Sequence, residues 1–237
     1  MNPRAQLSLL LLAGASGAVD ALAFTALGTV FAGVMTGNLV LLGISAGRGD
    51  GADVAAPLYA LAGYAVGAAV TALVCRGVER RDAWAGRVVA CLGAQCGVLA
   101  GVAVVGGVLD GRPEGGWRSV LLVAAALAMG GQSAAMVAAG AAPTTYFTGT
   151  LTTLVTGTVD GAARGAGQLW VAGRLLAVVA GAAGAVAVRA AAPSWGFVSP
   201  ALLTAAAVAC QKPAQHARRA VTTVHENPLH RADDKAH

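Results

Sequence analysis

Apolar residues run through this chain in long unbroken windows, at about 6–30, 54–75, 88–109, 119–142, 167–188 and 195–210. Most approach the roughly 20 residues that an α-helix needs to cross hydrocarbon. Inside a bilayer every backbone N–H and C=O must find a partner within the protein, which leaves the helix as the form for such windows. The pattern therefore predicts an all-α membrane protein with six transmembrane helices. Two further apolar stretches, 33–47 and 146–159, hold about 15 and 14 residues, short for a span and typical of a re-entrant or broken helix. The first 15 residues resemble a secretory signal, with Arg4 ahead of LSLLLLAGA and Ala21-Leu22-Ala23 as a cleavage-like site. Because the apolar run continues to Phe31, a first transmembrane helix is the simpler reading.

The polar positions inside these windows fall into two related groups. Between Gly17 and Gly43, Asp20 sits about 15 residues into the first apolar run and is followed by Thr36-Gly37-Asn38. Between Met129 and Gly157 the chain repeats the theme with Gln132 and Thr148-Gly149-Thr150. The copies superpose at a constant offset of 112 positions, which also pairs Ala23 with Ala135, Ala26 with Ala138, Gly28 with Gly140, Leu39 with Leu151 and Leu42 with Leu154. Repeat 1 covers about 5–109 and repeat 2 about 117–210 of one membrane domain, 1–210. Each repeat reads as three spans with one short re-entrant or broken helix carrying a Thr-Gly turn. An odd number of spans turns the second copy over, giving two inverted three-helix repeats, the plan of many secondary transporters.

Composition sharpens this picture. Hydrophobic residues make up 57% of the 237 and charged residues 11%, with mean hydropathy +0.68, whereas soluble domains carry about 25% charged residues. Thirty-three glycines suit helices that approach closely in lipid. Gly63/Gly67 and Gly97/Gly101 form small-xxx-small patterns for packing within or between protomers, the latter leaving homo-oligomers open. The four cysteines, Cys75, Cys91, Cys96 and Cys210, show no metal-ligand or disulfide spacing and read as small packing residues. The net charge of +5 resides in loops and tail, where it records membrane orientation and contact with lipid headgroups rather than nucleic-acid binding. With six spans and a cytoplasmic N-terminus, 11 basic residues face inward against 4 outward; with eight spans the split is 10 to 5. Both termini are thus expected in the cytoplasm of a multi-pass cell-membrane protein, with 211–237 as a polar, disordered tail. No metal site or cofactor is expected, the tail histidines lacking ligand spacing.

The site expected from these residues is geometric. Half-helix N-termini meeting near the midplane would aim free N–H groups at a bound solute or ion. Thr36 and Thr148 suit N-cap positions, Gly37 and Gly149 allow close backbone approach, and Asn38 and Thr150 add hydrogen-bonding groups. Asp20, with Gln132 as its repeat partner, would lie beside the turns and bind a proton or cation. Arg174 would pair with Asp20 or Asp160, or snorkel to the cytoplasmic surface. Thr148, Thr152 and Thr156 share one helical face, either wetted or bonded back to their own helix.

The runs GAVDAL, MTGNLVLLG, MGGQSAA and TTYFTGTLT resemble the YoaK-like family of bacterial integral membrane proteins, a domain of unknown function, over roughly 5–210. That resemblance implies a six-helix inner-membrane protein and supplies no substrate. Enzyme motifs such as H-E-x-x-H, G-x-S-x-G or a P-loop are missing from the sequence. The expectation is a transporter or channel for a small solute, proton-coupled through Asp20, against a structural or sensory membrane protein whose Thr-Gly turns only pack.

Overall fold

The computed structural model describes residues 3–49, 51–77, 86–141, 147–159 and 166–211, and all secondary structure among them is helical. Helix α1 (Pro3–Leu22) continues into a π-helical turn (Ala23–Gly28), and α2 (Met35–Arg48) and α3 (Gly51–Val74) follow. Then come α4 (Gly86–Val108), α5 (Gly115–Ala138), α6 (Thr148–Val159), α7 (Ala166–Ala191), a 3-10 turn (Pro193–Trp195) and α8 (Val198–Ala209). Among the described residues, five segments are long and apolar enough to cross a membrane: Pro3–Gly28, Val54–Val74, Gly86–Val108, Gly115–Ala138 and Gly167–Ala191. These make the chain a multi-pass membrane protein by length and composition. The sixth expected span is a shorter apolar helix, Pro193–Ala209, because Pro193 and the 3-10 turn take up its first residues. The two short stretches of the sequence correspond to α2 and α6, of 14 and 12 residues.

Where helices stop, the backbone turns left-handed. Gly28 (φ 136) and Thr29 (φ 58) end the first long helix, and Gly140 (φ 68) follows α5. Only glycine enters that region without a Cβ penalty, so a β-branched Thr29 there marks a constrained break.

Helix α1 packs most extensively against α7, and α5 against α3. Both crossings depend on glycine: a Cβ at Gly17 would overlap the Val178 carbonyl, and one at Gly181 the Gly14 carbonyl. At the other crossing a Cβ at Gly67 would overlap the Leu127 carbonyl, and one at Gly130 the Tyr64 carbonyl. Gly63 makes a similar approach to Val123, so the Gly63/Gly67 pattern is an intramolecular packing face, whereas Gly97 and Gly101 have no neighbour within 4 Å.

Contacts also fix helix directions. Gly63 lies by Val123, Gly67 by Leu127 and Gly131 by Thr71, so α3 and α5 are parallel. Leu10 packs on Gly173 and Gly14 on Ala177, so α1 and α7 are parallel too. Helix α4 runs antiparallel to α5: Val88 and Leu92 share a buried cluster with Ala135 and Met136, while Leu99 and Val102 share another with Leu121 and Leu122. Ser8 donates to the Ala207 carbonyl (3.0 Å) and Val19 approaches Pro200 across a small void, so α1 and α8 are antiparallel. Helices α4 and α8 are antiparallel as well, with the Cys96 thiol on the Ala201 carbonyl (3.6 Å) and Gly106 against Phe197.

Candidate functional site

Six residues, 29–34, separate the π-helical turn from α2. Irregular backbone that is buried needs partners from the protein itself, and two polar side chains supply them. Asp20, two turns before the break, accepts the Gly33 N–H at 2.7 Å, and its carboxylate also faces the Ala32 and Val34 amides. Asn38, fully buried, grips both polar groups of Phe31, accepting from its N–H at 2.9 Å and donating to its carbonyl at 2.6 Å. Phe31 stacks on Phe24 with ring centroids 5.3 Å apart. Gly37 leaves room for that ring, since a Cβ there would lie 2.9 Å from it. Asp20, Gly37 and Asn38 thus hold the interruption in place.

The expected N-caps are displaced. Helix α2 starts at Met35, with Val34 as N-cap and no side-chain cap bond, so Thr36 is already inside the first turn and exposed. Thr148 likewise opens α6 from within, the Phe147 carbonyl accepting from the Leu151 N–H at 2.8 Å. An N-cap carries extended backbone ahead of the helix; residues that have already turned helical cannot serve. Beyond Thr148, three threonines return to their own helix. Thr152 donates to the Thr148 carbonyl (3.0 Å), Thr153 to that of Gly149 (2.9 Å) and Thr156 to that of Thr152 (3.0 Å). Thr150 is half-buried in the same turn.

Thr36 and Thr148 nevertheless line one cavity, of about 740 Å³, together with Met35, Tyr64, Cys75 and Ser133 among others. Its walls come from α3 and α5, with the start of α2 reaching in from one side and Phe147-Thr148 from another. No acidic or basic side chain among the described residues lines it. Hydroxyl groups and backbone dispersed over an apolar wall can orient a small molecule but offer an ion no counter-charge.

Asp20 and Gln132 are not brought together. Gln132, fully buried on α5, donates to the Leu12 carbonyl of α1 (3.2 Å) and accepts from the Gln95 amide of α4. Leu12 lies eight residues from Asp20, about 12 Å along the helix. Gln132 therefore ties three helices, and neither it nor Asp20 lines the cavity. Arg174 is half-buried with its Nε unpartnered among the described residues. The contact of Gly173 with Leu10 places it about 15 Å along α1 from Asp20, too far to pair. Asp160 and the tail from 212 lie outside the described residues.

Sequence reading missed Gln95 and the approach of two cysteines. Gln95 stands out as a lone amide in the 88–109 window, a signal open to anyone asking what it bonds. For Cys75 and Cys91, 16 positions apart with Sγ atoms 3.8 Å from each other, spacing carried no signal, because the fold alone joins the end of α3 to the start of α4.

Among known proteins, residues 8–210 match the model of a family described as a protein of unknown function, DUF1275. No curated protein and no solved structure matches the chain.

Proposed function

The chain belongs to the DUF1275 family of unknown function, and we propose that it is a small-solute transporter or channel whose path passes through the cavity between the starts of α2 and α6. The observation carrying this reading is that Thr36 and Thr148, 112 positions apart, line one cavity of about 740 Å³. Its uncharged lining among the described residues favours a neutral molecule of small-metabolite size, with an apolar body and one or two hydrogen-bonding groups, over an inorganic ion.

The architecture in this reading is a pair of inverted repeats, and the packing supports it. Exchanging α1 with α5, α3 with α7 and α4 with α8 turns the α1–α7 contact into α5–α3, turns α1–α8 into α5–α4, and returns α4–α8 to itself. The Gly17–Val178 approach transposes by 112 positions to Met129 and Val66, between the Gly130–Tyr64 and Gly67–Leu127 approaches. Gly28 and Gly140, paired at the same offset, both take positive φ. Chained together, the helix directions make α1 antiparallel to α5, α3 to α7 and α4 to α8, as an axis lying in the membrane plane requires. Helices α1, α3, α4, α5, α7 and α8 then alternate in direction, and α2 and α6 each enter and leave on one side. The cavity draws on α3 and α5 and not on α1 and α7. Rocking one half against the other would move it to the equivalent place between α7 and α1 and so alternate its access.

Asp20 holds the loop in this scheme. An ionised carboxylate accepts the Gly33 N–H more strongly than the neutral acid, so proton binding would loosen the start of α2, and any proton coupling would act there. In this reading the basic loops favour cytoplasmic termini, and the YoaK-like resemblance favours a bacterial inner membrane.

The test is osmotic. Proteoliposomes are exposed by stopped flow to a panel of neutral solutes from urea and glycerol to small aromatic alcohols. Permeability to at least one solute should exceed that of empty vesicles and fall when Ser133→Trp fills the cavity. Equal permeability of full and empty vesicles across the panel would return the protein to a structural or sensory role.

A further inference from the structure

Cys75 follows the last turn of α3 and is buried, and Cys91 lies in the second turn of α4 and is half-exposed. Their Sγ atoms are 3.8 Å apart. A disulfide needs sulfurs about 2.05 Å apart, less than 2 Å closer than this pair stands. The main chain is already braced at this point, since Arg87 Nη1 donates to the Arg76 carbonyl at 2.7 Å. The other two cysteines stand apart from the pair: Cys96 bonds to α8 through the Ala201 carbonyl, and Cys210 follows the end of α8. Cys75 also lines the central cavity, and Cys91 lines a separate groove of about 330 Å³ formed by α3, α4 and α5.

We propose that Cys75 and Cys91 form a thiol–disulfide site, closed by hydroperoxide oxidants, that clamps the end of α3 to the start of α4 and draws a thiol out of the cavity wall. The more exposed Cys91 sulfur attacks one oxygen of the peroxide. The O–O bond breaks, leaving a sulfenic acid on Cys91 and, for hydrogen peroxide, a molecule of water. The Cys75 sulfur then attacks the Cys91 sulfur. The S–O bond breaks, and the departing hydroxide leaves as water with the Cys75 proton. Two thiols lose two electrons, one peroxide gains two, and two waters are formed. A thiol reductant reverses the bridge. The site stands on the sulfur geometry and holds whether or not the cavity carries solute.

The full chain in lipid nanodiscs, treated with hydrogen peroxide, tests this by counting thiols with a maleimide mass tag after denaturation. The tag count should fall from four to two, and digestion should yield the Cys75 and Cys91 peptides joined and lighter by two hydrogens. Cys96→Ala and Cys210→Ala should still lose two thiols; Cys75→Ala and Cys91→Ala should form no bridge. Cys75→Ser and Cys91→Ser, which keep the volume and lose the chemistry, repeat the test should an alanine variant fail to fold. Four remaining tags, oxidation of Cys91 without a bridge, or a bridge through Cys96, Cys210 or a second chain would each overturn the assignment.

Discussion

After α1 the chain leaves its helix at Gly28 and re-enters at Met35; after α5 it leaves near Gly140 and re-enters at Thr148. The glycines are equivalent, both take positive φ, and both short helices begin at the same cavity. The first interruption is pinned by Asp20 on Gly33 and by Asn38 on both polar groups of Phe31. The second includes residues 142–146, outside the described residues; there the position matching Asp20 is Gln132, bonded to Leu12 and Gln95, and the position matching Asn38 is Thr150. Among the described residues, α2 packs broadly on α3, and α6 touches α7. Among the described residues, both breaks share a positive-φ glycine and one cavity, and the side-chain bonds that pin a break come from the first half.

Removing the pin is the largest way to break that contrast. Asn38→Leu removes the side-chain partner of both the Phe31 N–H and its carbonyl; at about 1–3 kcal/mol for each buried group, the loss should reach about 2–6 kcal/mol. Asp20→Asn keeps an acceptor for Gly33 and gives up only the charge assistance, so it should cost less. Unfolding in detergent, followed by temperature, should rank them in that order. Equal losses, or no loss at Asn38, would remove the pin.

The crossings offer the opposite test, because there the halves are alike. Gly17→Ala must push α1 off the Val178 carbonyl and Gly67→Ala must push α3 off that of Leu127, each at about 1–3 kcal/mol, the usual cost of overpacking. Similar losses sharpen the case for equivalent crossings; a loss at one alone breaks it. Gly97→Ala and Gly101→Ala, with nothing within 4 Å, should leave thermal stability unchanged or slightly raised.

How much of this the chain displayed in advance depends on the kind of information. The helices and most of their lengths were legible, since hydropathy acts along the sequence; the sixth expected span is the shorter Pro193–Ala209. The 112-position offset of Thr36 and Thr148 was also legible, and both line one cavity. The jobs of the polar residues were not. Asp20 and Asn38 look like ligands in a list of polar positions, and only the fold shows them bonding to a loop 7 to 13 residues away. The N-caps shifted because Met35 and Thr148 are already helical, a boundary that differs by one or two residues and that composition does not fix. Gln95 and the Cys75–Cys91 approach needed the pairing of α4 with its neighbours, which no local pattern encodes.

A smaller effect probes how Gln132 replaced Asp20. Gln132→Leu leaves the Gln95 amide without its acceptor, and Gln95 Oε1 already lacks a partner among the described residues. Interhelical hydrogen bonds in membranes average about 0.6 kcal/mol and reach about 1.7. The single change should therefore cost about 1 kcal/mol, with Gln95→Leu/Gln132→Leu recovering most of it. A double-mutant cycle reads the coupling directly. Additive losses would mean that the two amides do not act as a pair, and Gln132 would then be no more than a buried polar residue at the Asp20 position.

The smallest effect is expected at the second short helix. Thr152→Val and Thr156→Val remove hydroxyls that are exposed and bonded only to carbonyls one turn back, so the helix loses nothing that its own backbone does not supply. Each should change stability by less than about 0.5 kcal/mol, as surface substitutions do. Their solute permeability should match that of the unaltered protein, because neither residue lines the cavity, whereas Thr148→Val replaces a hydroxyl that does. If Thr152→Val and Thr156→Val lowered permeability as much as Thr148→Val, the threonine face of α6 would be part of the path. The second half would then carry the bonding that the first half spends on its loop.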